Sequence, residues 1–326
     1  MFRQVDWTHE EWDCQLDRVA AWAPHNYSGW AKMRSLAGWD SLRIVDLHDR
    51  PVAQVLVKRV RSLATSAYCP GGFVTESPTD AAALTNKITS WTRARLLYVR
   101  THMITPTSIL NLRLSEHGWA RVHQTMSSGQ SLELRLDAPE AERLELLSTN
   151  WKRNLHRSSK HENFVAIEQA PDAELISRTH RALVDLKGEH LQSWESNSSH
   201  VTALIDGFGS RLVVAKCTNR AGDLLAVRGA VLTANGKVAF DIIASTTTDG
   251  RKHYSSHACF WALANELSRR GVVRYDLGGV DEANNKGVFD FKNGTGAVPI
   301  AYGGEFDTAT PKAIRPILSR IVSRVA

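Results

Sequence analysis

Residues 274–307 read RYDLGGVDEANNKGVFDFKNGTGAVPIAYGGEFD, and the rest of the chain is interpreted from this stretch outward. Val272, Val273, Tyr275 and Leu277 form a short strand-like run after a helix stop at Gly271. Gly278 and Gly279 then break the strand, where bare backbone takes shapes that side chains forbid or lets a ligand come close. A polar excursion, Asp281 to Lys286, leads to Phe289 and Phe291 around Asp290, and Lys292 opens a loop with Gly294 and Gly296. A lysine beside two aromatics in such a loop can hold a phosphate or a developing oxyanion. A β-bulge and hairpin with a solvated lysine fits the same residues, and spacing alone favours it.

Upstream, Thr8-His9-Glu10-Glu11 has capping-box spacing and predicts a helix over 8–22 through Trp12, Leu16 and Val19. A second short helix starts at Trp30 and ends before Gly38. LRIVDL and VAQVLVKRV flank His48-Asp49-Arg50-Pro51 as a hairpin, and Ser66 to Cys69 is a further strand closed by Pro70-Gly71-Gly72. Ser77-Pro78-Thr79-Asp80 opens a helix through Leu84, Ile88 and Trp91, and LLYVRTH is the next strand. RVHQTM and SLELRLD read as two strands around Ser127-Ser128-Gly129.

From Pro139 a helical stretch runs into the basic segment Trp151 to Lys160. NFVAIEQ is strand-like, Leu175 to Leu186 is amphipathic helix, and another helix lies near 198–206. RLVVAKC, LLAVRGAVLT and KVAFDIIAS are three strands, turning at Asn219 to Gly222 and at Asn235-Gly236. A helix from Ser255 ends at Gly271, and a last helix lies near 311–324. Each half thus reads helices, an antiparallel hairpin, a helix and a strand, a repeat of architecture without visible identity. Mixed sheets flanked by helices suit this order, which is also that of GNAT acyltransferases.

The 326 residues allow one large or two medium domains, and a hydrophobic share of 43% supports a sizeable core. The net charge of +6 leans towards a polyanionic partner. Cys14, Cys69, Cys217 and Cys259 form no C-x-x-C pair, which fits a reduced, cytoplasmic chain better than a disulfide scaffold or zinc site. The polar start MFRQVDWTHEEWD lacks a signal-peptide apolar core, and no run approaches membrane-spanning length.

GNAT enzymes seat the coenzyme A pyrophosphate on R/Q-x-x-G-x-G/A before a helix, using bare N–H groups at its N-terminus. The corresponding Arg251-Lys252-His253-Tyr254-Ser255-Ser256 fills both small positions, one with bulky Tyr254, which impairs close approach. On a helix Lys152, His156 and Lys160 share a face beside Arg153 and Arg157, a pattern that suits a phosphate backbone and an ordinary solvated helix equally. His253 and His257 lack the acid of H-E-x-x-H and read as surface or capping residues, and no G-x-S-x-G elbow exists.

Several segments match one family in order along the chain. They are Tyr275-Asp276-Leu277-Gly278-Gly279, then Gly287, Phe289, Phe291-Lys292, Gly294 and Gly296, then Tyr302, Gly304, Glu305, Phe306 and Asp307. Trp30-Ala31-Lys32, Tyr68 to Val74, Asn150 to Lys160, and Ala244-Ser245-Thr246 with Arg251 and Cys259 to Leu263 add to the set. With these residues the chain resembles the Fem family of aminoacyltransferases, which includes the FemX-like and FemAB-like peptidoglycan bridge enzymes.

The resemblance implies an α/β (α+β) protein of two tandem GNAT-like domains with mixed, largely antiparallel sheets. They would span 1–145 and 146–307, with the terminal helix 308–326 packing back on the first. It also implies that an acceptor amine attacks the ester of an aminoacyl-tRNA to form an amide, with tRNA as donor and no other cofactor. Phe291 and Lys292 match the family's Phe-Lys pair, the lysine steadying the tRNA end or the oxyanion. Lys32, and more loosely Arg211, match contacts to the diphosphate of a UDP-linked acceptor, and Tyr254, Asp276, Gly278 and Gly279 join the implied substrate site. Lys152, Arg153, Arg157 and Lys160 are the implied tRNA contacts.

Departures bear on the acceptor. The family's R-I-D/E-P is Arg100-Thr101-His102-Met103 here, so a carboxylate base is missing there, and Thr295-Gly296 replaces Phe-Gly. The acceptor is then an amine-bearing peptide, a UDP-muropeptide of peptidoglycan synthesis or a peptidyl nucleoside of antibiotic biosynthesis, and a monomer is expected. The rival readings are an acyl-CoA-dependent GNAT acyltransferase and a non-catalytic RNA-binding relative.

Overall fold

The computed structural model describes residues 2–60, 64–74, 78–105, 114–116, 118–168, 171–187 and 194–325. Ser77 of the expected helix start lies outside them. Two compact units result, Met1–Gln130 with Ile300–Ala326, and Ser131–Pro299. The strands are numbered in chain order.

The first unit holds β1 (Phe2–Val5), β2 (Asp40–Asp46), β3 (Pro51–Val60), β4 (Ala64–Cys69), β5 (Leu96–Met103), β6 (Ala120–Arg121) and β14 (Gly304–Thr310). They form a sheet in the order β1-β2-β3-β4-β5-β14-β6, with β4 and β5 parallel. Its helices are α1 (His9–Arg18), α2 (Ser28–Ser35), α3 (Pro78–Thr92) and α11 (Arg315–Val325). The capping box of α1 is complete, with Glu11 N donating to Thr8 Oγ1 at 3.2 Å and Thr8 N to Glu11 Oε2 at 2.7 Å. Trp12 and Leu16, at helical spacing after it, are fully buried.

The second unit's strands are β7 (Gln130–Arg135), β8 (Phe164–Glu168), β9 (Leu212–Thr218), β10 (Leu224–Thr233), β11 (Val238–Thr246), β12 (Arg274–Gly279) and β13 (Val298–Ala301). Their order is β13-β7-β12-β11-β10-β9-β8, with β11 and β12 parallel and β9-β10-β11 an antiparallel meander. Its helices are α4 (Glu140–Leu146), α5 (Thr149–Ser158), α6 (Ala173–Lys187), α7 (Ser198–Phe208), α8 (Thr248–Lys252), α9 (Ser255–Arg269) and α10 (Lys286–Asn293). Phe260, Leu263, Ala264 and Leu267 of α9 are buried in the core with Tyr275 and Leu277 of β12.

Four segments depart from the expectations. RVHQTM is strand only at Ala120–Arg121, because Met126 N and Ser127 N bond to the Glu305 carboxylate instead of to a neighbouring strand. β14 pairs with β5 in the first sheet, so the units divide at 130/131 and 299/300 rather than at 145 and 307. The stretch from Pro139 breaks into α4 and α5 at Leu147, where Ser148 caps α5 by accepting from Trp151 N; Lys160 lies beyond the end of α5. The expected loop at Lys292 is α10, and Lys292 is buried rather than solvated.

Gly250 of α8 lies against β10 so closely that a Cβ would stand 2.0 Å from the Leu225 carbonyl oxygen. Gly250→Ala should therefore lower stability by about 1–3 kcal/mol in denaturant unfolding. In the first unit, burial lowers the His25 pKa to about 3 and that of His102 to about 4. The unfolded chain takes up these protons near pH 6.5 and the folded one does not, so stability is full above that pH and is lost as pH falls towards 4. Unfolding midpoints measured from pH 7 to pH 4 should show this slope, and His102→Gln should flatten it.

Candidate active site

A cavity of about 730 Å³ in the second unit is lined by residues of α8, α9, α10 and the ends of β10, β11 and β12. Its chemical centre is Lys292, which is 9% exposed. Lys292 Nζ donates to Gly278 O at 3.1 Å and to Gly279 O at 2.9 Å. Gly278 has a φ of +75°, and a Cβ there would meet Asp241 O at 3.3 Å, so glycine is what the bend at the end of β12 requires.

Beside the lysine lies a second buried cation. Arg228 Nε and Nη2 donate to the two carboxylate oxygens of Asp241 at 3.1 and 2.6 Å, and Tyr275 Oη donates to Asp241 Oδ1 at 2.9 Å. The guanidinium also lies 4.9 Å from the Phe260 ring centre and 5.1 Å from that of Phe291. Burial alone would lower the Arg228 pKa, but Asp241 and Tyr275 outweigh it and hold the guanidinium above its ordinary value. Burial lowers Lys292 to about 8, with Asp241 opposing the shift and Arg228 adding to it.

Trp151 of α5 fastens α10 in place. Its Nε1 donates to Phe291 O at 3.0 Å, and Ser148 N donates to Gly294 O at 2.9 Å. Phe291 packs against Trp151, His257 and Phe260 with ring centres 5.1–5.8 Å apart. The basic helix is thus a buttress of the lysine helix through its apolar side. Its cations bond locally: Lys152 donates to Glu145 O at 2.8 Å, Arg153 to Asn150 Oδ1 at 2.7 Å and Arg157 to Tyr254 Oη at 3.0 Å, while Lys160 sits in the following turn.

The remaining implied residues divide. Tyr254, Gly278, Gly279, Phe291 and Lys292 line the cavity together. Tyr254 has a left-handed backbone, φ 55°, between α8 and α9, a conformation that residues with side chains rarely adopt. Asp276 is fully buried behind the cavity wall, accepting from Ser131 Oγ and from Gly278 N at 2.9 Å; it fixes the bend that aims the two carbonyls. Arg211 ends a 3-10 turn before β9 and is not among the lining residues. Lys32 is half-buried on α2 of the first unit.

Arg228, Asp241 and His257 were not singled out as site residues from the sequence, although Arg228 and Asp241 are charges inside otherwise apolar strand runs, which itself signals a paired buried ion. His257 was read as a surface or capping residue; it lines the cavity, and burial lowers its pKa to about 4.

The first unit answers the missing carboxylate at 101–103. Glu305 stands opposite His102 in the β5–β14 register and accepts from Arg100 Nε at 2.7 Å. Its other oxygen accepts from Met126 N, Ser127 N and Ser127 Oγ at 2.8–3.0 Å. A carboxylate so fully engaged fastens the loop after β6 to the sheet.

Among the described residues, no helix is long and apolar enough to cross a membrane. No curated protein sequence matches the chain significantly. Of the solved structures, FemX matches with a TM-score of 0.77 at 14% identity, covering 98% of this chain and 100% of that one. The C-terminal domain of a putative lysylphosphatidylglycerol synthetase from Agrobacterium fabrum gives 0.57 at 14% identity, covering 97% of each chain. A tandem GNAT protein from the clavulanic acid biosynthesis pathway gives 0.54 at 11% identity, covering 95% of this chain and 98% of that one. The sequence model of the FemAB family matches residues 187–317, the span that contains Arg228, Asp241 and Lys292. Over that span the chain is similar to the FemAB family, and over nearly its whole length it shares the fold of FemX and of the tandem GNAT protein.

Proposed function

We propose that the protein is an aminoacyl-tRNA-dependent N-aminoacyltransferase, forming an amide between a tRNA-borne amino acid and an acceptor amine. The observation that carries this is Lys292, clamped by two carbonyls at the wall of a cavity within the FemAB-matching span. An amine adding to an ester carbonyl develops negative charge on the carbonyl oxygen, and a lysine N–H donor held at the cavity wall stabilises that charge. Arg228 keeps the local field positive while its own charge is matched by Asp241.

The acceptor is an amine-bearing peptide, peptidoglycan precursor or peptidyl nucleoside. The exposed cations Arg153, Lys160 and Lys152 serve the tRNA backbone, and Arg157 reaches it from beside Tyr254. An acyl-CoA donor is disfavoured by the sequence, which has bulky Tyr254 at a small position of the GNAT pyrophosphate pattern.

Total tRNA charged with labelled amino acids, incubated with the protein and either a UDP-muropeptide or a peptidyl nucleoside, should give RNase-sensitive transfer of label to one of them. Lys292→Met should lower that transfer by at least about 100-fold, with the thermal transition retained. Absence of acceptor-dependent amide with every amino acid, together with turnover of acetyl-CoA, would overturn the tRNA donor.

A further inference from the structure

We propose that Lys292 is the general base of this site, its neutral Nζ donating both N–H groups to Gly278 and Gly279 and turning its lone pair into the cavity. This deepens the aminoacyl-transfer reading and rests on it. The clamp has two acceptors, both neutral carbonyls. A neutral amine has two N–H groups and one lone pair, and the clamp satisfies both donors. An ammonium has a third N–H that the clamp leaves to the cavity.

Burial favours the neutral form, against the pull of the nearby Asp241 and Asp276 carboxylates, and other donors already engage both of these. Asp241 on β11 already accepts from Arg228 on β10 and from Tyr275 on β12. Asp276, also on β12, accepts from Ser131 and from Gly278 N. His257 on α9 is held neutral by burial. The lysine thus faces carboxylates already engaged by other donors, and unlike the Arg228 guanidinium it can give up its proton. Its lowering to about 8 accords with this geometry.

The step balances. The free acceptor amine attacks the ester carbonyl carbon, a C–N bond forms, and the carbonyl π pair moves to oxygen. The nitrogen, now positively charged, gives a proton to the Lys292 Nζ lone pair. The resulting ammonium directs its third N–H into the cavity, where the oxyanion stands. On collapse the C–O bond to the ribose breaks, its electron pair stays on the ribose oxygen, and that oxygen takes the proton back from Nζ. Amide and free ribose hydroxyl result, and the lysine is neutral again.

Lys292→Arg distinguishes a base from a fixed charge, because arginine keeps the charge and offers no lone pair. It should lose transfer about as completely as Lys292→Met, and the wild-type rate should rise with pH through about 8. A second measurement needs no donor: in protein labelled with ¹³C,¹⁵N-lysine, one side-chain signal should titrate near pH 8 and vanish in both variants. Titration of that signal at the ordinary lysine value of 10.5 would overturn the proposal. So would an arginine variant within a few-fold of wild type, which leaves the donor intact. Failure of the wild-type protein to use charged tRNA strikes the donor instead, and the titration still decides the base.

Discussion

Two carbonyl oxygens, those of Gly278 and Gly279, hold the amino group of Lys292, and much of the second unit serves that contact. Removing a cation from water costs several kcal/mol unless its field is answered. The chain answers it indirectly. The positive φ of Gly278 turns successive carbonyls to one side, Asp276 ties down that bend through Gly278 N, and Asp241 supplies negative charge one strand away while bonded to Arg228 and Tyr275. The lysine is oriented by dipoles and left without a dedicated carboxylate bond, a state from which its proton can leave.

Orientation on the other side comes from apolar packing. Trp151 bonds the Phe291 carbonyl and packs on the Phe291 ring, so the helix that carries Lys292 is fixed by the helix that carries the basic segment. Gly294 sits where a Cβ would fall 2.8 Å from Trp151 Cδ1, so the two helices meet at a glycine. The glycines of the FKNGTG run are therefore partly explained by packing, and need no ligand at that point.

In the first unit, Glu305 and Asp307 lie two apart on β14 and so share a face of the sheet. Glu305 receives Arg100 and the loop after β6, and Asp307 receives Tyr98 and Arg315. The acidic pair in GEFD is a set of buried ties rather than free acid. Much of the layout was legible from residue patterns: the capped first helix, the hairpin at Asp49-Arg50, the meander around Asn235-Gly236 and the stop at Gly271 all rest on local preferences acting within a few residues. The short helix of Lys292 was not, because the polar run before it and the glycines after it outweigh eight helical residues whose stability comes from Trp151, more than 130 positions upstream. The strand expected at RVHQTM failed for the complementary reason: the amides of His123 and Met126 are claimed by the side chains of Ser319 and Glu305, far along the chain.

By itself the sequence determined the repeated order of elements, the strand and helix periods, and the presence of Lys292 beside an aromatic and behind two glycines, since these depend on neighbours in the chain. Only the tertiary structure decided that Arg228 and Asp241 join that lysine, that Asp276 stands behind the cavity wall, and that β14 belongs to the first sheet. Ion pairing and strand partnership are set by distance in space. Desolvation, which makes the lysine labile, exists only once the chain has closed around it.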